Sequence, residues 1–415
     1  MASIEYKDFV DKGYKPGKDE LECEFYIEPA EGLSMEDAAG RVASESSNGT
    51  WAQLQADSRI KDMSAKVFGI EGNEIKIAYK PVLFEKGSMP QILSCIAGNI
   101  MGMKAVDRIR LKDCKWPKSI TDGFRGPQFG SGVRQEIFGV DDRPITATVP
   151  KPKVGLTSDQ HAQVGYDAWT GGLDLLKDDE NLTDQSFNRF EKRIEKSFRM
   201  RDKAEKETGE KKSYLVNITA DTQTMLERAE MVHEMGGEYI MVDIITSGWA
   251  GLQTVREKAE DLGLAIHAHR AMHAAFDRLP THGVSMRCIA QFARIIGVDQ
   301  LHTGTANLGK LDNEDTVGIN KWMRKDLHGM KDVLPMASGG LHPGTVPELI
   351  DRLGTNIGIQ AGGGVHGHPG GTHKGAIALR KAVDAVVDGR DIHDAAENCP
   401  ELKTALDKWG TMSPR

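Results

Sequence analysis

The chain has few cysteines and no cysteine pair at short spacing. Its five cysteines, Cys23, Cys95, Cys114, Cys288 and Cys399, are odd in number and widely scattered, without a Cys-x-x-Cys motif. Disulfide frameworks and zinc knuckles both need paired or clustered cysteines, so the spacing favours neither. We therefore expect reduced and mostly buried thiols.

The sequence also lacks long apolar runs and an excess of basic residues. No uninterrupted apolar stretch approaches the roughly 18 to 20 residues that cross a bilayer, and the first ten residues show no secretory pattern. The formal net charge is -8. This balance argues against nucleic acid as the main partner, because phosphate binding needs a clustered basic surface. We expect a cytoplasmic protein with neither a membrane nor a nucleic-acid partner.

Histidine is missing from the N-terminal part, because none of the thirteen histidines precedes His161. Titratable chemistry is therefore expected in the C-terminal part. A chain of 415 residues is too long for one ordinary domain and suits two.

From about residue 145 onward, short apolar segments alternate with amphipathic helical patterns. Asp221 is placed to cap one of these helices, and the charge-dense stretch 190–212 is typical of an outer helix with a solvated face. Eight consecutive strand–helix units favour a closed parallel (β/α)8 TIM barrel over an open sheet. The strands are predicted at residues 145–151, 173–179, 214–220, 239–246, 265–271, 300–306, 334–340 and 356–364.

The first 125 residues have a different pattern. Extended segments at 22–27 and 66–79 and helical segments at 34–43 and 92–103 predict a smaller α+β domain of the ferredoxin-like type. A glycine-rich connection follows. The predicted organisation is an N-terminal domain over residues 1–125 and a catalytic barrel over residues 126–415, in an α/β protein.

The second predicted barrel strand ends in four consecutive charges, Lys177, Asp178, Asp179 and Glu180. Side chains alternate along a strand, so Lys177 and Asp179 are expected on one face, with Glu180 at the strand mouth. One interpretation is a solvated ion pair. The other is a hard-cation site, because Asp179 and Glu180 offer oxygen ligands suited to Mg2+. In that case a deprotonated Lys177 amine could react with carbon dioxide, and the carbamate would supply a third anionic ligand.

Polar residues follow the other predicted strands as well, at the ends where barrel active sites collect. Glycine segments after the seventh and eighth strands are individually typical of turns, but together they match the position where barrels bind phosphate through backbone N–H groups. Arg270 and His302 could hold a second anion. Two anion sites beside a metal indicate a bisphosphate. The residues at the strand ends are Lys151, Lys153, His267, His269, Arg270, His302, the loop residue Lys310, Ser338, Gly339, Gly340, Gly362, Gly363 and Gly364.

A zinc site is an alternative that the spacing of His267 and His269 leaves open. Zinc amidohydrolases also use a barrel, an inward His-x-His pair and often a carbamylated lysine. Their His-x-His pair normally lies on the first strand, whereas here it falls on the fifth. The position therefore counts against zinc.

The motifs, taken in order, resemble the large chain of ribulose-1,5-bisphosphate carboxylase/oxygenase (RuBisCO) over nearly the whole chain. The archaeal-type enzymes (form III or II/III), including methanogen-like forms without small subunits, are the most similar branch. That branch implies a role in nucleotide (AMP) salvage. The motifs are ESSNGTW at 45–51, Gly98-Asn99, KPKVG at 151–155, GGLDLLKDDEN at 171–181, HAHRAMH at 267–273, HTGT at 302–305 with Gly309-Lys310-Leu311, Ser338 to Gly340, and QAGGG at 360–364.

The resemblance implies Mg2+-dependent enolisation of ribulose 1,5-bisphosphate, followed by addition of CO2 or O2. It implies that Lys177, carbamylated by a non-substrate CO2, completes the magnesium site with Asp179 and Glu180 and acts as the base. Lys151 would be the acid that protonates the product. Lys310 would close over the substrate and stabilise the new carboxylate. Lys153, His269 and His302 would surround the same centre.

The resemblance also implies where the two phosphates bind and how subunits combine. One phosphate would lie on Gly339, Gly340, Gly362 and Gly363 with Thr50 and Trp51, and the other near Arg270 and His302, while Ser338 would bind the sugar hydroxyls. Glu45, Thr50, Trp51 and Asn99 would reach the barrel of a neighbouring subunit. The expected assembly is a homodimer or a set of dimers with shared active sites.

The sequence departs from the family in one place that concerns catalysis. Four residues, Ala306 to Gly309, separate Thr305 from Lys310, one more than in the usual family loop. A RuBisCO-like enolase or isomerase acting on another phosphorylated sugar is the main alternative, and a catalytically silent scaffold is a weaker one. Such enolases usually replace several charged site residues, whereas this chain keeps those at the strand ends, which favours the carboxylase.

Overall fold

The structure is a computed structural model that describes residues 2–49, 54–308 and 315–411, without the side chains of residues 2–4 and 54–56. The chain divides into two compact units. The first comprises Met1–Arg125 and Met272–Ile296, and the second comprises Gly126–Ala271 and Gly297–Arg415. Thr50, Trp51 and Lys310, which the sequence analysis assigned to the site, lie outside the described residues.

Both units combine β-strands with α-helices. In chain order the strands are β1 (Ala2–Ile4), β2 (Leu21–Pro29), β3 (Leu54–Ala56), β4 (Lys66–Glu71), β5 (Glu74–Tyr79), β6 (Val106–Lys115), β7 (Ile145–Thr148), β8 (Leu175–Lys177), β9 (Ser213–Asn217), β10 (Tyr239–Asp243), β11 (Ala265–His269), β12 (Gly283–Val284), β13 (Gln300–His302), β14 (Leu334–Ser338) and β15 (Gly358–Gln360). The α-helices are α1 (Met35–Glu45), α2 (Ser58–Asp62), α3 (Met89–Ile96), α4 (Lys118–Thr121), α5 (Val133–Phe138), α6 (Ser158–Thr170), α7 (Phe190–Thr208), α8 (Thr222–Glu234), α9 (Trp249–Leu262), α10 (Ala274–Asp277), α11 (Met286–Ile296), α12 (Thr316–Arg324), α13 (Val346–Leu353), α14 (Gly363–His366), α15 (Thr372–Val387), α16 (Ile392–Glu397) and α17 (Pro400–Trp409).

The first unit is built on a sheet with the strand order β12-β6-β2-β5-β4. β2, β4, β5 and β6 pair antiparallel. With α1 between β2 and β4, and α3 between β5 and β6, they form a β-α-β-β-α-β unit. Ser34 caps α1 by accepting from Asp37 N at 3.1 Å. This confirms the predicted α+β domain of ferredoxin-like type.

The segment 272–296, which the sequence analysis placed with the barrel, groups with the first unit. β12 pairs parallel to β6, which extends the sheet by a short strand. Gln291 of α11 explains the attachment, because its Oε1 accepts from Cys114 N and Trp116 Nε1, both at 3.2 Å. These partners are distant in sequence, so no local pattern indicated them.

The second unit is a closed barrel of eight parallel strands, β7, β8, β9, β10, β11, β13, β14 and β15. All eight predicted strands are present, and the barrel is confirmed. The observed strands are shorter than predicted at their carboxyl ends, for example ending at Thr148 and Lys177 rather than at Lys151 and Asp179. Pairing between neighbouring strands stops there. The polar residues that follow therefore lie on loops.

The outer helices of the barrel form where the sequence shows amphipathic helical patterns. Asp221 caps α8, as predicted, by accepting from Thr224 N at 3.1 Å. The charge-dense stretch forms α7, which buries Phe190, Ile194 and Phe198 and is followed by Gly209 with a left-handed φ of 71°. Inside the barrel, apolar side chains such as Ala147 and Met241 form a core below the polar mouth.

The five cysteines are free thiols, of which Cys95 is partly exposed and the others are buried. Among the described residues, every helix is too short or too polar to cross a membrane.

Candidate active site

Lys177 and Glu180 bring an amine and a carboxylate together at the end of β8. Lys177 is fully buried, and its Nζ donates to the carbonyl oxygen of Asp178 at 2.8 Å and lies 3.6 Å from Glu180 Oε2. Asp179 is only 2% exposed. The charge run is thus a buried cluster and not a solvated surface pair. Since β8 ends at Lys177, the alternation expected of a strand does not set the direction of Asp179.

Lys151, from the loop after β7, contacts the same cluster. Its Nζ donates to Asp179 Oδ2 at 2.8 Å, while Asn181 N donates to Asp179 Oδ1 at 3.1 Å. Burial raises the pKa of Asp179, but the hydrogen bonds from Lys151 and Asn181 outweigh it, and the pKa lies below its usual value. Asp179 is therefore held as a carboxylate. Lys153, two residues along the same loop, is exposed.

His269 joins the cluster from β11. Its Nε2 lies 3.6 Å from Glu180 Oε2, and its Nδ1 contacts Asp243 Oδ1 at 2.7 Å. The Asp243 carboxylate accepts a hydrogen bond from Nδ1–H, which fixes the ring orientation. Burial raises the pKa of Glu180, but the charges of Lys177 and His269 outweigh it and lower this pKa overall. Both acidic groups at the mouth are thus ionised.

Arg270 and His302 are brought together on another side of the mouth. Arg270 Nε donates to His302 Nδ1 at 3.0 Å, and both side chains are buried. Burial and the adjacent guanidinium hold the pKa of His302 well below its ordinary value. The ring is neutral, and a cationic group stands beside it, which suits an anionic ligand.

Two glycine loops meet after β14 and β15. Gly339 and Gly340 have φ values of 117° and 88°, which side chains rarely adopt. A Cβ on Gly364 would lie 2.2 Å from the carbonyl oxygen of Leu341, so the two loops approach too closely for any other residue. Ser338 Oγ accepts from Gln360 Nε2 at 2.7 Å. The backbone of both loops therefore lies at one edge of the mouth.

Asn217 is a site residue that the sequence analysis missed. Its Nδ2 lies within hydrogen-bond distance of three carbonyl oxygens, those of Asp179 (3.3 Å), Glu180 (3.3 Å) and Leu182 (3.1 Å). A single amide thus contacts the loop that carries both carboxylates. The signal was a polar residue at the carboxyl end of β9, directly after the run Tyr214–Val216.

The buried side chain of Asp178 was also missed. It accepts from Tyr214 OH at 2.7 Å and from Arg193 Nε at 3.3 Å, and it lies 3.1 Å from His161 Nε2. Burial raises the pKa of Asp178, but Arg193 and His161 outweigh it and lower the pKa to about 2. The network connects α7, β9 and α6 to Asp178, which lies between Lys177 and Asp179 in the sequence.

The side chains at the mouth fit one of the two candidate metals, Mg2+, better than the other, zinc. No cluster of three or more His, Cys, Asp or Glu side chains suited to a metal occurs among the described residues. A zinc centre on His267 and His269 therefore lacks further ligands there, and His267 Nδ1 contacts Gln300 Oε1 at 2.5 Å instead. Asp179 and Glu180 provide two anionic oxygens. A carbamate on Lys177 would add the third, and this all-oxygen set fits Mg2+.

Other predicted site residues are in the first unit or in the loop after β13. Asn99 Nδ2 donates to Glu45 Oε1 at 3.1 Å, so these two residues lie together. The loop after β13 is described as far as Leu308, and its Ala306 and Asn307 have left-handed φ values of 51° and 64°.

The carboxyl-end mouth of this eight-stranded parallel barrel holds a buried lysine, two ionised carboxylates and two edges whose chemistry suits anions. This combination is typical of barrel enzymes that act on anionic substrates. Comparison with known families identifies the family within this class to which the chain belongs. Residues 132–409 match the catalytic domain of the ribulose bisphosphate carboxylase large chain, and residues 8–120 match its N-terminal domain. The chain belongs to the RuBisCO large-chain family.

Individual relatives agree with this assignment over full length. The chain is 54% identical over 417 residues to the ribulose bisphosphate carboxylase of Pyrococcus furiosus, covering 99% of both chains. An octameric RuBisCO from Pyrococcus horikoshii OT3, in complex with sulfate, superposes with a TM-score of 0.95 at 52% identity, covering 99% of this chain and 98% of that one. The dimeric archaeal RuBisCO from Hyperthermus butylicus gives a TM-score of 0.91 at 45% identity, with 98% and 100% covered. The predicted archaeal-type carboxy-lyase is confirmed.

Proposed function

We propose that the chain catalyses Mg2+-dependent enolisation of ribulose 1,5-bisphosphate and the addition of CO2 to give two molecules of 3-phosphoglycerate, with O2 as the competing reactant. The observation that carries this proposal is the fully buried Lys177 amine, which lies 3.6 Å from Glu180 Oε2 and next to the Lys151–Asp179 ion pair. A lysine buried among carboxylates is suited to become a carbamate that binds a hard cation.

Lys177, as a carbamate, is assigned two roles. With Asp179 and Glu180 it would hold Mg2+, and it would take the proton from the third carbon of the substrate. When bound, the ion supplies Lewis-acid stabilisation of negative charge on substrate oxygens. Asn217 and Asp178 keep the loop that carries the two carboxylates in place.

Lys151 is assigned as the acid that protonates the product carbanion. Its Nζ donates to Asp179 Oδ2 at 2.8 Å, which holds the ammonium group at the mouth. Lys153 lies on the same loop, and His269, oriented by Asp243, faces Glu180. Lys310 is assigned to closing over the substrate, to excluding water and to stabilising the new carboxylate.

The two phosphates are assigned to the two anion-binding edges. One would be bound by backbone N–H groups of Gly339, Gly340, Gly362 and Gly363, with Thr50 and Trp51. The left-handed φ values of Gly339 and Gly340 support this, because they let the backbone approach a ligand closely. The other phosphate would lie near Arg270 and His302, and Ser338 would bind the sugar hydroxyls.

The proposed assembly is a homodimer, or a set of dimers, without a small subunit. Glu45 and Asn99, with Thr50 and Trp51, would complete the active site of the neighbouring subunit. The archaeal relatives described above form a dimer and an octamer, which supports this assembly. By the same relationship, we assign the enzyme to nucleotide (AMP) salvage.

The experiment that tests the function is incorporation of labelled bicarbonate into acid-stable 3-phosphoglycerate, after preincubation with Mg2+ and CO2. We expect label that depends on Mg2+ and on preincubation, and its loss in Lys177→Ala and in Lys310→Ala. Absence of label from folded wild-type protein, combined with Mg2+-dependent exchange of a substrate proton, would instead identify an enolase or isomerase.

A further inference from the structure

His366 lies at the end of α14, three residues after Gly363, and its ring joins three elements of the barrel. Its Nε2 contacts Thr148 Oγ1, at the carboxyl end of β7, at 2.9 Å. Its Nδ1 contacts Thr372 Oγ1, at the start of α15, at 3.0 Å. This histidine has no role in the mechanism proposed above.

The surrounding hydrogen bonds define the protonation of the ring. Thr148 Oγ1 lies 2.7 Å from the carbonyl oxygen of Ala361, which can only accept, so the threonine proton is committed to that bond. Thr148 must then accept from His366 Nε2–H. This leaves Nδ1 to accept from the Thr372 hydroxyl. The ring is neutral, and both of its nitrogens are used.

The electrostatic surroundings agree with a neutral ring. Burial and the positive charge of Lys151 lower the pKa of His366 to about 4, against an opposing hydrogen bond with the backbone of Val149. The side chain can therefore keep the same two bonds throughout the neutral pH range.

These bonds enclose the glycine loop after β15. Ala361, which Thr148 holds, immediately precedes Gly362, while His366 ends the single turn that starts at Gly363. The turn itself is short, and His366 N donates back to the carbonyl oxygen of Gly362 at 3.0 Å. An isolated turn of this length has too few backbone bonds to hold its own geometry. The chain on both sides of the two glycines is thus fixed to one hydroxyl, that of Thr148.

We propose that His366 is a positioning residue that sets the conformation of the Gly362–Gly363 loop and thereby the affinity for the substrate phosphate bound there. The proposal rests on the proposed function, which assigns that phosphate to the loop. His366 does not contact reacting atoms. Its effect should therefore appear in substrate affinity and not in the chemical step.

The test compares His366→Ala, His366→Gln and Thr372→Val with the wild type. Loss of one or two hydrogen bonds should raise KM for ribulose 1,5-bisphosphate about three- to tenfold, with kcat changed less than about twofold. His366→Gln retains a donor for Thr148 and should recover part of the affinity. Thr372→Val removes one bond without changing the ring, which protects the test against misfolding of the His366 variants.

His368→Gln is the matched control. His368, a buried histidine, lies two residues further on, but its Nε2 contacts the carbonyl oxygen of Glu401 at 3.0 Å and its Nδ1 accepts from Gly370 N at 2.9 Å. It therefore ties the chain to α17 and not to β7. This variant should lower Tm and leave KM unchanged.

Calorimetric titration with inorganic phosphate gives a reading that does not depend on turnover. We expect weaker phosphate binding in His366→Ala and Thr372→Val than in the wild type. If both variants lower Tm but keep the wild-type KM and phosphate affinity, His366 is merely structural and the proposal is overturned. If the wild type fails to fix labelled bicarbonate, the proposed function is wrong, and the phosphate titration still decides the role of His366.

Discussion

Lys177 is an amine held inside the protein, where burying a charge costs free energy unless a partner offsets it. Its contacts are a carbonyl oxygen at 2.8 Å and the Glu180 carboxylate at 3.6 Å. Packing alone gives no reason for a lysine here, since an apolar side chain of similar size would be easier to bury. The residue is best explained by chemistry on its nitrogen.

Lys177→Arg should lose carboxylation by at least about a hundredfold, because a guanidinium keeps its charge and cannot become the carbamate base. The measurement is fixation of labelled bicarbonate, together with trapping of labelled CO2 on the protein. The control is Lys212→Met, which removes another buried lysine, paired with Glu210 at 2.7 Å before the start of β9. That variant should lose stability but keep kcat, and a fully active Lys177→Arg would contradict the assignment.

His366 should make stability depend on pH in a defined window. Its folded pKa of about 4 is lower than the unfolded value of 6.5, so the unfolded chain binds the proton first as pH falls. The stability from this residue is complete above pH 6.5 and declines by about 3 kcal/mol as pH falls to about 4. His366→Gln should therefore have a flatter dependence of Tm on pH than the wild type. Parallel curves would show that the ring is not held neutral.

At the scale of elements, the loop after β8 is held by groups from outside it. Arg193 of α7 donates to Asp178 and to the carbonyl oxygens of Thr183 (2.7 Å) and Asn188 (3.0 Å). Asn217 of β9 contacts the loop from the other side. The loop that carries the two carboxylates is thus clamped between a helix and a strand, which keeps its geometry fixed before any ligand binds.

Arg193→Met should destabilise the protein by about 3–5 kcal/mol, because it leaves the Asp178 carboxylate buried without its cationic partner. Urea unfolding monitored by circular dichroism measures this loss. Adding Asp178→Asn to the first change should recover part of it, since the uncompensated charge is removed. A double variant that loses the sum of the two single effects would show that the two residues act independently.

Asn217→Ala should lower carboxylation about ten- to a hundredfold with a smaller loss of stability, about 1–3 kcal/mol, because the carbonyl oxygens of the loop that carries Asp179 and Glu180 lose their donor. The measurements are activity at saturating substrate and the Mg2+ concentration needed for activation, which should rise. Asn320→Leu is the control. Asn320 is 1% exposed, and within the described structure its side-chain amide atoms lack hydrogen-bond partners. Its replacement should leave both activity and stability unchanged or improved.

At the scale of the whole molecule, the chain combines a ferredoxin-like unit and a catalytic barrel. In the proposed dimer, Glu45 and Asn99 of the first unit would be supplied to the active site of the neighbouring subunit. Glu45 and Asn99 lie 3.1 Å apart within the first unit. A shared site of this kind would make activity a property of the dimer.

Mixing two inactive variants tests the shared site. Glu45→Gln and Lys177→Arg, refolded or exchanged together in equal amounts, should restore about a quarter of wild-type activity, because half of the dimers are mixed and each mixed dimer has one intact site. Lys177→Arg mixed with Asp179→Asn should restore none. Each change damages the barrel of its own subunit, so a mixed dimer has no intact site. Failure of the first mixture to recover activity would place Glu45 in its own subunit's site.

The barrel and the ferredoxin-like domain could be predicted because their signals are local. Each barrel strand is buried on both faces and appears as a short apolar run, and Asp221 or the glycine after α7 mark helix ends. The carboxyl ends of strands could not be placed, since Thr148 and Lys177 end their strands only where a neighbouring strand stops pairing. The grouping of residues 272–296 with the first unit could not be predicted either, because it depends on pairing with β6, which is distant in the sequence.

The sequence by itself determined the fold class, the family and the identity of the charged residues at the strand ends, because residue type and order are sufficient for these. Only the tertiary structure decided how those residues act on one another. Burial makes Lys177 a partner of Glu180, Asp243 orients His269, and Asn217 and Arg193 clamp the loop between them. Distances and desolvation arise from contacts between residues far apart in the chain, and local sequence patterns do not encode them.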